Sequence, residues 1–174
     1  MNRHQRTRLG LLLLVGVWSC GPGAEKDPHS QKPLTPDEFG QQLFAILKNE
    51  DYEGAKRYLW HEQDWAYVAS LGQAASKEKR EEMATKVWEK LQEGITLYHE
   101  RYFKAGARTE GGDPIRTVEY VRFIPGRIIQ PAPPNYTNYN DSYLVIKING
   151  AREQRLELDH IQVINGVWHI SEIK

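Results

Sequence analysis

Two Asn-Gly dipeptides, Asn149-Gly150 and Asn165-Gly166, each stand between runs rich in branched and aromatic residues. Both residues of such a pair tolerate positive φ, which the tight turn of an antiparallel hairpin demands. The segments they join, Tyr143 to Ile148, Arg155 to Ile164 and Val167 to Ile173, are therefore expected as three successive antiparallel strands. Thr117 to Ile124 has the same composition and is expected as a fourth. Between them, Gly126 to Asp141 contains Pro131, Pro133 and Pro134 with tyrosines among asparagines, and reads as a long loop.

The turns also constrain register. A two-residue turn at Asn149-Gly150 would set Leu144 opposite Arg155. A three-residue loop with a glycine bulge sets Leu144 opposite Leu156, which agrees better with one buried face. The same loop type at Asn165-Gly166-Val167 sets Ile164 opposite Trp168 and Gln162 opposite Ile170. The core face then reads Leu144, Ile146, Ile148, Leu156, Leu158, Ile164, Trp168 and Ile170. His160, Gln162 and Glu172 interrupt it, with His160 directly across from Glu172; a two-residue second turn would separate that pair.

The amino-terminal half has helical periodicity. Thr35 as cap, Pro36 in the first helical position and Glu38 completing a capping box start a helix that Phe39, Leu43, Ile46 and Leu47 carry to about Lys48. Tyr52, Ala55, Tyr58 and Leu59 suggest a short second helix, and Trp65, Val68, Ala69 and Leu71 a third segment before Gly72. From Ser76 a long charged helix begins, with Ala84, Val87, Trp88, Leu91, Ile95, Tyr98 and Tyr102 along one stripe. That stripe predicts packing against a sheet or another helix. Gly94 inside it should weaken the helix by about 1 kcal/mol relative to Ala.

The first residues are of another kind. Arg3, Arg6 and Arg8 precede the apolar run Leu9 to Trp18, followed by Ser19-Cys20-Gly21. A basic head, an apolar middle and a small-residue exit describe a secretory signal peptide. The run is about ten residues, half of what a spanning helix needs. Val17-Trp18-Ser19-Cys20 resembles the bacterial lipobox, in which the cysteine sulfur receives a diacylglyceryl group and the chain is cut before it. The resemblance implies a lipid attachment site at Cys20, and each buried acyl CH₂ contributes about 0.8 kcal/mol to anchorage. Gly21 after the cysteine resembles export to the outer membrane, on its periplasmic side or at the surface. Residues 1–19 are thus read as signal peptide, 20–33 as a flexible tether, and 34–174 as one domain.

Charge excludes one partner class. The 174-residue chain balances 23 Lys and Arg against 23 Asp and Glu; without residues 1–19 it keeps 20 basic residues and a charge of −3. Neither value gives an electrostatic reason to expect nucleic acid.

Helices followed by a meander that ends in Asn165-Gly166-Val167-Trp168-His169-Ile170, with Asn49-Glu50-Asp51-Tyr52-Glu53-Gly54-Ala55 between the first two helices, resemble an NTF2-like (cystatin-like superfamily) domain. The resemblance implies an α+β fold, with amino-terminal helices packed on a curved antiparallel sheet of about four strands to form a cone. The mouth of such a cone holds a ligand or is filled by side chains. Isomerases, dehydratases and modules without activity share the fold, so function must be argued from a site.

The sharpest candidate site is His160 with Glu172, joined by Gln162 and Tyr120 at the cone mouth. A histidine oriented by a carboxylate can act as a general base near neutral pH; the alternative is an inert cross-strand pair at the sheet rim. His61-Glu62-Gln63-Asp64 lacks the second histidine of a zinc-protease helix and is expected in an exposed loop. His99 is expected on a solvated helix face, His169 on the surface, and His29 in the tether. Tyr136, Tyr139 and Tyr143 either contact a partner or fold back on their own domain. Lys77 to Glu82 mixes signs and reads as solvated helix surface. There is no phosphate-cradling glycine loop or nucleophile elbow, and no metal or cofactor is expected. The reading is a non-catalytic envelope lipoprotein that binds a small ligand or an envelope protein. The alternative is an enzyme of isomerase or dehydratase type using the His160–Glu172 pair.

Overall fold

The computed structural model describes residues 32–129 and 133–173. The expected signal peptide, Cys20, His29 and nearly all of the expected tether lie outside the described residues.

Helix α1 spans Pro36–Asn49 and starts as expected: Glu38 N donates to Thr35 Oγ1 at 3.3 Å, and Thr35 N to Glu38 Oε2 at 2.7 Å. It stops at Glu50, whose φ of 52° is left-handed. Helix α2 (Tyr52–Ala55) continues into a single 3₁₀ turn, Lys56–Tyr58. Helix α3 spans Glu62–Ser70, and α4 spans Lys77–Tyr98 under a Ser76 cap, running on into a π-type turn at His99–Phe103.

Five strands follow: β1 (Val118–Ile124), β2 (Arg127–Ile128), β3 (Tyr136–Ile148), β4 (Arg152–Ile164) and β5 (Val167–Ile173). The fold is α+β with one antiparallel sheet in the order β1-β3-β4-β5, and β2 pairs with β3 beyond the end of β1. Between β1 and β2, a Cβ on Gly126 would fall 1.9 Å from the Asn140 carbonyl oxygen, so only glycine lets the edge pass this close.

Half of the segment expected as a long loop is strand, at Arg127–Ile128 and from Tyr136 onward. β3 begins at Tyr136 and pairs with β4 from Ile164 onward, because a long partner strand overrides the poor strand propensity of its asparagines. Tyr139 folds inward and stacks on Trp168, with ring centroids 6.0 Å apart.

The first hairpin has the expected three-residue loop, with Leu144 opposite Leu156 and Ile148 opposite Arg152. The second is a correction. Ile164 pairs with Val167 and Val163 with Trp168, so the turn has two residues, with Asn165 at φ 50° and Gly166 at φ 84°. The extra residue sits instead inside the strands. Ile161 opposes Ile170, His160 opposes Glu172, and Leu158 opposes Ile173, leaving Ser171 and Asp159 as successive bulge residues on opposite strands. His160 and Glu172 therefore do face each other, by a different route from the one expected.

The bulges also change which residues face the core. On β4 the core side runs Leu156, Leu158 and then Ile161, and on β5 it runs Trp168, Ile170 and then Ile173. Ile161 takes the place that an unbroken alternation would have given to His160 or Gln162, and Ile164 is buried outside the main core. Against this face pack Phe39, Leu43 and Leu47 of α1 and Leu91, Ile95 and Tyr98 of α4. Trp168 lies between Tyr139 and Phe39, stacked on the latter at 4.7 Å, with Phe123 edge-on at 5.7 Å. The Tyr98 hydroxyl accepts from Glu157 N at 2.9 Å, and burial pushes that hydroxyl's pKa up to about 12.

Gly94 is explained by contact. A Cβ there would lie 2.6 Å from Ile173 Cβ and 3.1 Å from the Ile173 carbonyl oxygen, so the glycine lets α4 approach β5. Gly94→Ala should gain about 1 kcal/mol in helix propensity but lose more to overpacking, typically about 1–3 kcal/mol. The expected outcome is a lower urea midpoint; an unchanged or higher midpoint would contradict the contact.

Candidate functional site

The back of the second hairpin is covered by the segment that leads into α3. An apolar cleft of about 190 Å³ opens there. Trp60 and Trp65 form one wall and pack edge to face at 4.6 Å; Met83, Ala84 and Val87 of α4 form the other. Gln162 and Ser171 supply its polar groups. Trp60 Nε1 donates to Gln162 Oε1 at 2.8 Å, and Ser171 Oγ donates to the same oxygen at 3.1 Å. An indole N–H can only donate, so the carboxamide oxygen must face Trp60. The Gln162 amide group then remains a donor for something else. Met83 is 42% exposed, unusual for a residue whose neighbours form a wall. A cleft below the usual ligand-pocket range of about 300–1,000 Å³ suits a single ring or one inserted side chain.

His169 and Asp64 lie beneath this region, and neither has any exposed side-chain surface. His169 Nε2 is 3.2 Å from Asp64 Oδ1, and His169 Nδ1 is 3.2 Å from the Leu59 carbonyl oxygen. The other Asp64 oxygen accepts from His61 N at 2.7 Å at the start of α3. His169 was expected on the surface. It does point away from the main core, but α3 and its leader bury that side too. A sequence signal existed: Asp64 stands three residues after His61, as a helix-start carboxylate does. Nothing in the sequence said which strand residue it would meet.

The expected His160–Glu172 site is only partly assembled. With Asp159, their nearest ligand-type atoms all lie within 4.8 Å of one another. His160 Nε2 is 3.8 Å from Asp159 Oδ2, whereas Glu172 Oε1 is held by Lys90 Nζ at 2.8 Å. The carboxylate that would orient the histidine is thus engaged by an ammonium from α4. One imidazole and two carboxylates are a donor set that a divalent cation accepts. The bulge at Asp159 makes this trio, since adjacent residues of a regular strand point to opposite faces.

Gln162 belongs to the cleft, and Tyr120 belongs to neither group. Tyr120 pairs with Ile146, which pairs with Gln154, so along the sheet it is level with Gln154 rather than His160. Its hydroxyl donates to Asp37 Oδ1 at 2.6 Å. Burial, and then the Asp37 carboxylate, push its pKa well above the ordinary tyrosine range, which leaves it a donor.

The remaining described histidines, His61 and His99, have structural partners. His61 precedes α3 with Nε2 3.4 Å from Arg57 O. His99, expected on a solvated face, instead donates from Nδ1 to Lys48 O at 3.1 Å, capping the end of α1. In the charged stretch, Lys77 pairs with Glu81 at 3.8 Å along the helix, and Arg80 reaches Glu62 of α3 at 2.9 Å.

Comparison of the chain with protein-family models, with curated proteins and with solved structures found no match.

Removing one member of a fully buried polar pair leaves the other's facing atom without its contact, at a cost of about 1–3 kcal/mol. Asp64→Ala and His169→Ala should each lower stability by about that much, while the double variant should cost far less than their sum. Urea unfolding of the four proteins checks this; additive losses would show that the two side chains do not act together.

Proposed function

We propose that this chain is a lipid-anchored envelope protein, tethered through Cys20, whose NTF2-like domain serves as a non-catalytic binding module. The bound group enters the cleft between α3 and α4, and is a ring-sized apolar moiety of a small ligand or of an envelope protein. The observation that carries this reading is the cleft itself: two tryptophans and an exposed methionine around the amide of Gln162, whose oxygen is occupied and whose nitrogen is a donor. A ligand with an apolar ring and one acceptor matches that chemistry. The anchoring part rests on the basic head, the short apolar run and the sole cysteine.

Two measurements test it. Cys20→Ala should abolish labelling by a palmitate analogue and release the protein from membranes; persistent labelling would refute the anchor. Ala84→Trp should fill the cleft at its rim, and ligand-observed NMR with single-ring fragments should show binding to the native chain and about tenfold weaker binding to the variant. Equal binding by both would place the ligand elsewhere.

The acid–base reading keeps one observation in its favour, the convergence of Asp159, His160 and Glu172. If it holds, Lys90→Ala should free Glu172 to hydrogen-bond His160, seen by NMR as an imidazole N–H proton protected from exchange. An imidazole N–H left unprotected by that substitution would remove the pair as a catalytic unit.

A further inference from the structure

The chain enters the domain at one identifiable end of the sheet. Leu34 O accepts from Trp168 Nε1 at 2.9 Å, and Pro33 packs so closely on the β4–β5 turn that a Cβ on Gly166 would come within 2.9 Å of its ring. The start of β3 lies at the same end, where Asn165 N donates to Asn135 O at 2.8 Å. β2 runs beside that part of β3, with Ile128 opposite Tyr139 and Ile129 N donating to Asn138 O at 2.8 Å.

The end of β2 and the residue after it present two consecutive exposed isoleucines, Ile128 at 51% and Ile129 at 44%. A single exposed apolar residue needs no explanation. Two in succession on a sheet edge are a hazard that proteins ordinarily blunt with charge or cover. Arg127 beside them is held by Asp141 at 2.8 Å and extends into solvent.

We propose that this β2 tip is a membrane contact: Ile128 and Ile129 seat in the interfacial layer of the bilayer to which the chain is anchored. The proposal rests on the anchoring reading above. The twelve residues from Cys20 to Gln31 can span at most about 40 Å, so an anchored domain never moves far from the lipid. Tethering of this length sets an effective concentration on the order of millimolar. A contact too weak to hold a free domain then suffices to choose which end faces down. The entry point at Pro33 and the isoleucines lie at the same end, so the contact lets the tether stay slack. Lys32, next to Pro33, adds a basic group at the same end, which favours the same orientation on anionic lipid.

The test uses the full lipidated chain in vesicles of phosphatidylethanolamine with a minority of phosphatidylglycerol. Cys20 is the only cysteine, and acylation blocks its sulfur, so Ile129→Cys adds the single reactive thiol. An environment-sensitive probe there should be quenched by bilayer-borne nitroxide about threefold more than one at Ala151→Cys, in the turn at the other end of the sheet. With the probe at Arg127→Cys instead, Ile128→Ser together with Ile129→Ser should reduce quenching to the Ala151 level. Equal quenching at 129 and 151 on an acylated chain overturns the tip contact alone. Shielding in whole cells but not in lipid vesicles overturns it in favour of a protein partner. Absence of acyl label on Cys20 overturns the anchor and the membrane-facing tip together.

Discussion

The bulges at Asp159 and Ser171 determine how the sheet is used. A strand offers one face to the core for as long as its alternation is unbroken. Here the alternation breaks on three neighbouring strands at the same level, at Asp141 of β3 (φ 59°), Asp159 of β4 and Ser171 of β5, so all three change face together and stay paired. Up to Leu158 the even positions of β4 are core, and from Ile161 the odd ones are. Without that change, Gln162 would be buried among Phe39, Trp168 and Tyr139. A carboxamide there would forgo its hydrogen bonds at a cost of a few kcal/mol. With the change, it lies on the other side, where Trp60 and Ser171 satisfy its oxygen.

That other side needs its own means of attachment, since α3 is only nine residues long and a helix shorter than about 12 residues has little stability of its own in water. The Asp64–His169 pair supplies it. One carboxylate oxygen starts the helix, and the other meets the strand. Burying two such groups carries a large desolvation penalty, which a close pair with further hydrogen bonds offsets. The result is less a gain in stability than a fixed position for α3. Trp60 and Trp65 inherit their places from it, and with them one wall of the cleft.

Much of this was legible in the sequence because it is local. The Thr35–Glu38 box, the helical stripe from Leu91 to Tyr102 and the two Asn-Gly turns are each determined within a few residues. The first hairpin register followed from matching apolar faces. The second did not, because both loop lengths placed apolar residues together and the bulges moved the discrepancy into the strands. The burial of His169 was illegible for a related reason. Its alternation was read correctly, but whether the second face of a sheet is covered depends on a helix more than a hundred residues away in sequence. Tyr136 to Asp141 read as loop from composition, and only the length of β4 made it strand.

The indole of Trp168 links the last strand to Leu34, ahead of the first helix. Any pull arriving along the amino-terminal segment therefore meets this hydrogen bond and the Pro33 contact before it reaches α1. The force passes directly into the paired strands β4 and β5, and the helix downstream is shielded from peeling turn by turn. A domain pulled by its amino-terminal segment is thus loaded first at the β4–β5 hairpin, and its first helix bears strain only after that attachment has given way.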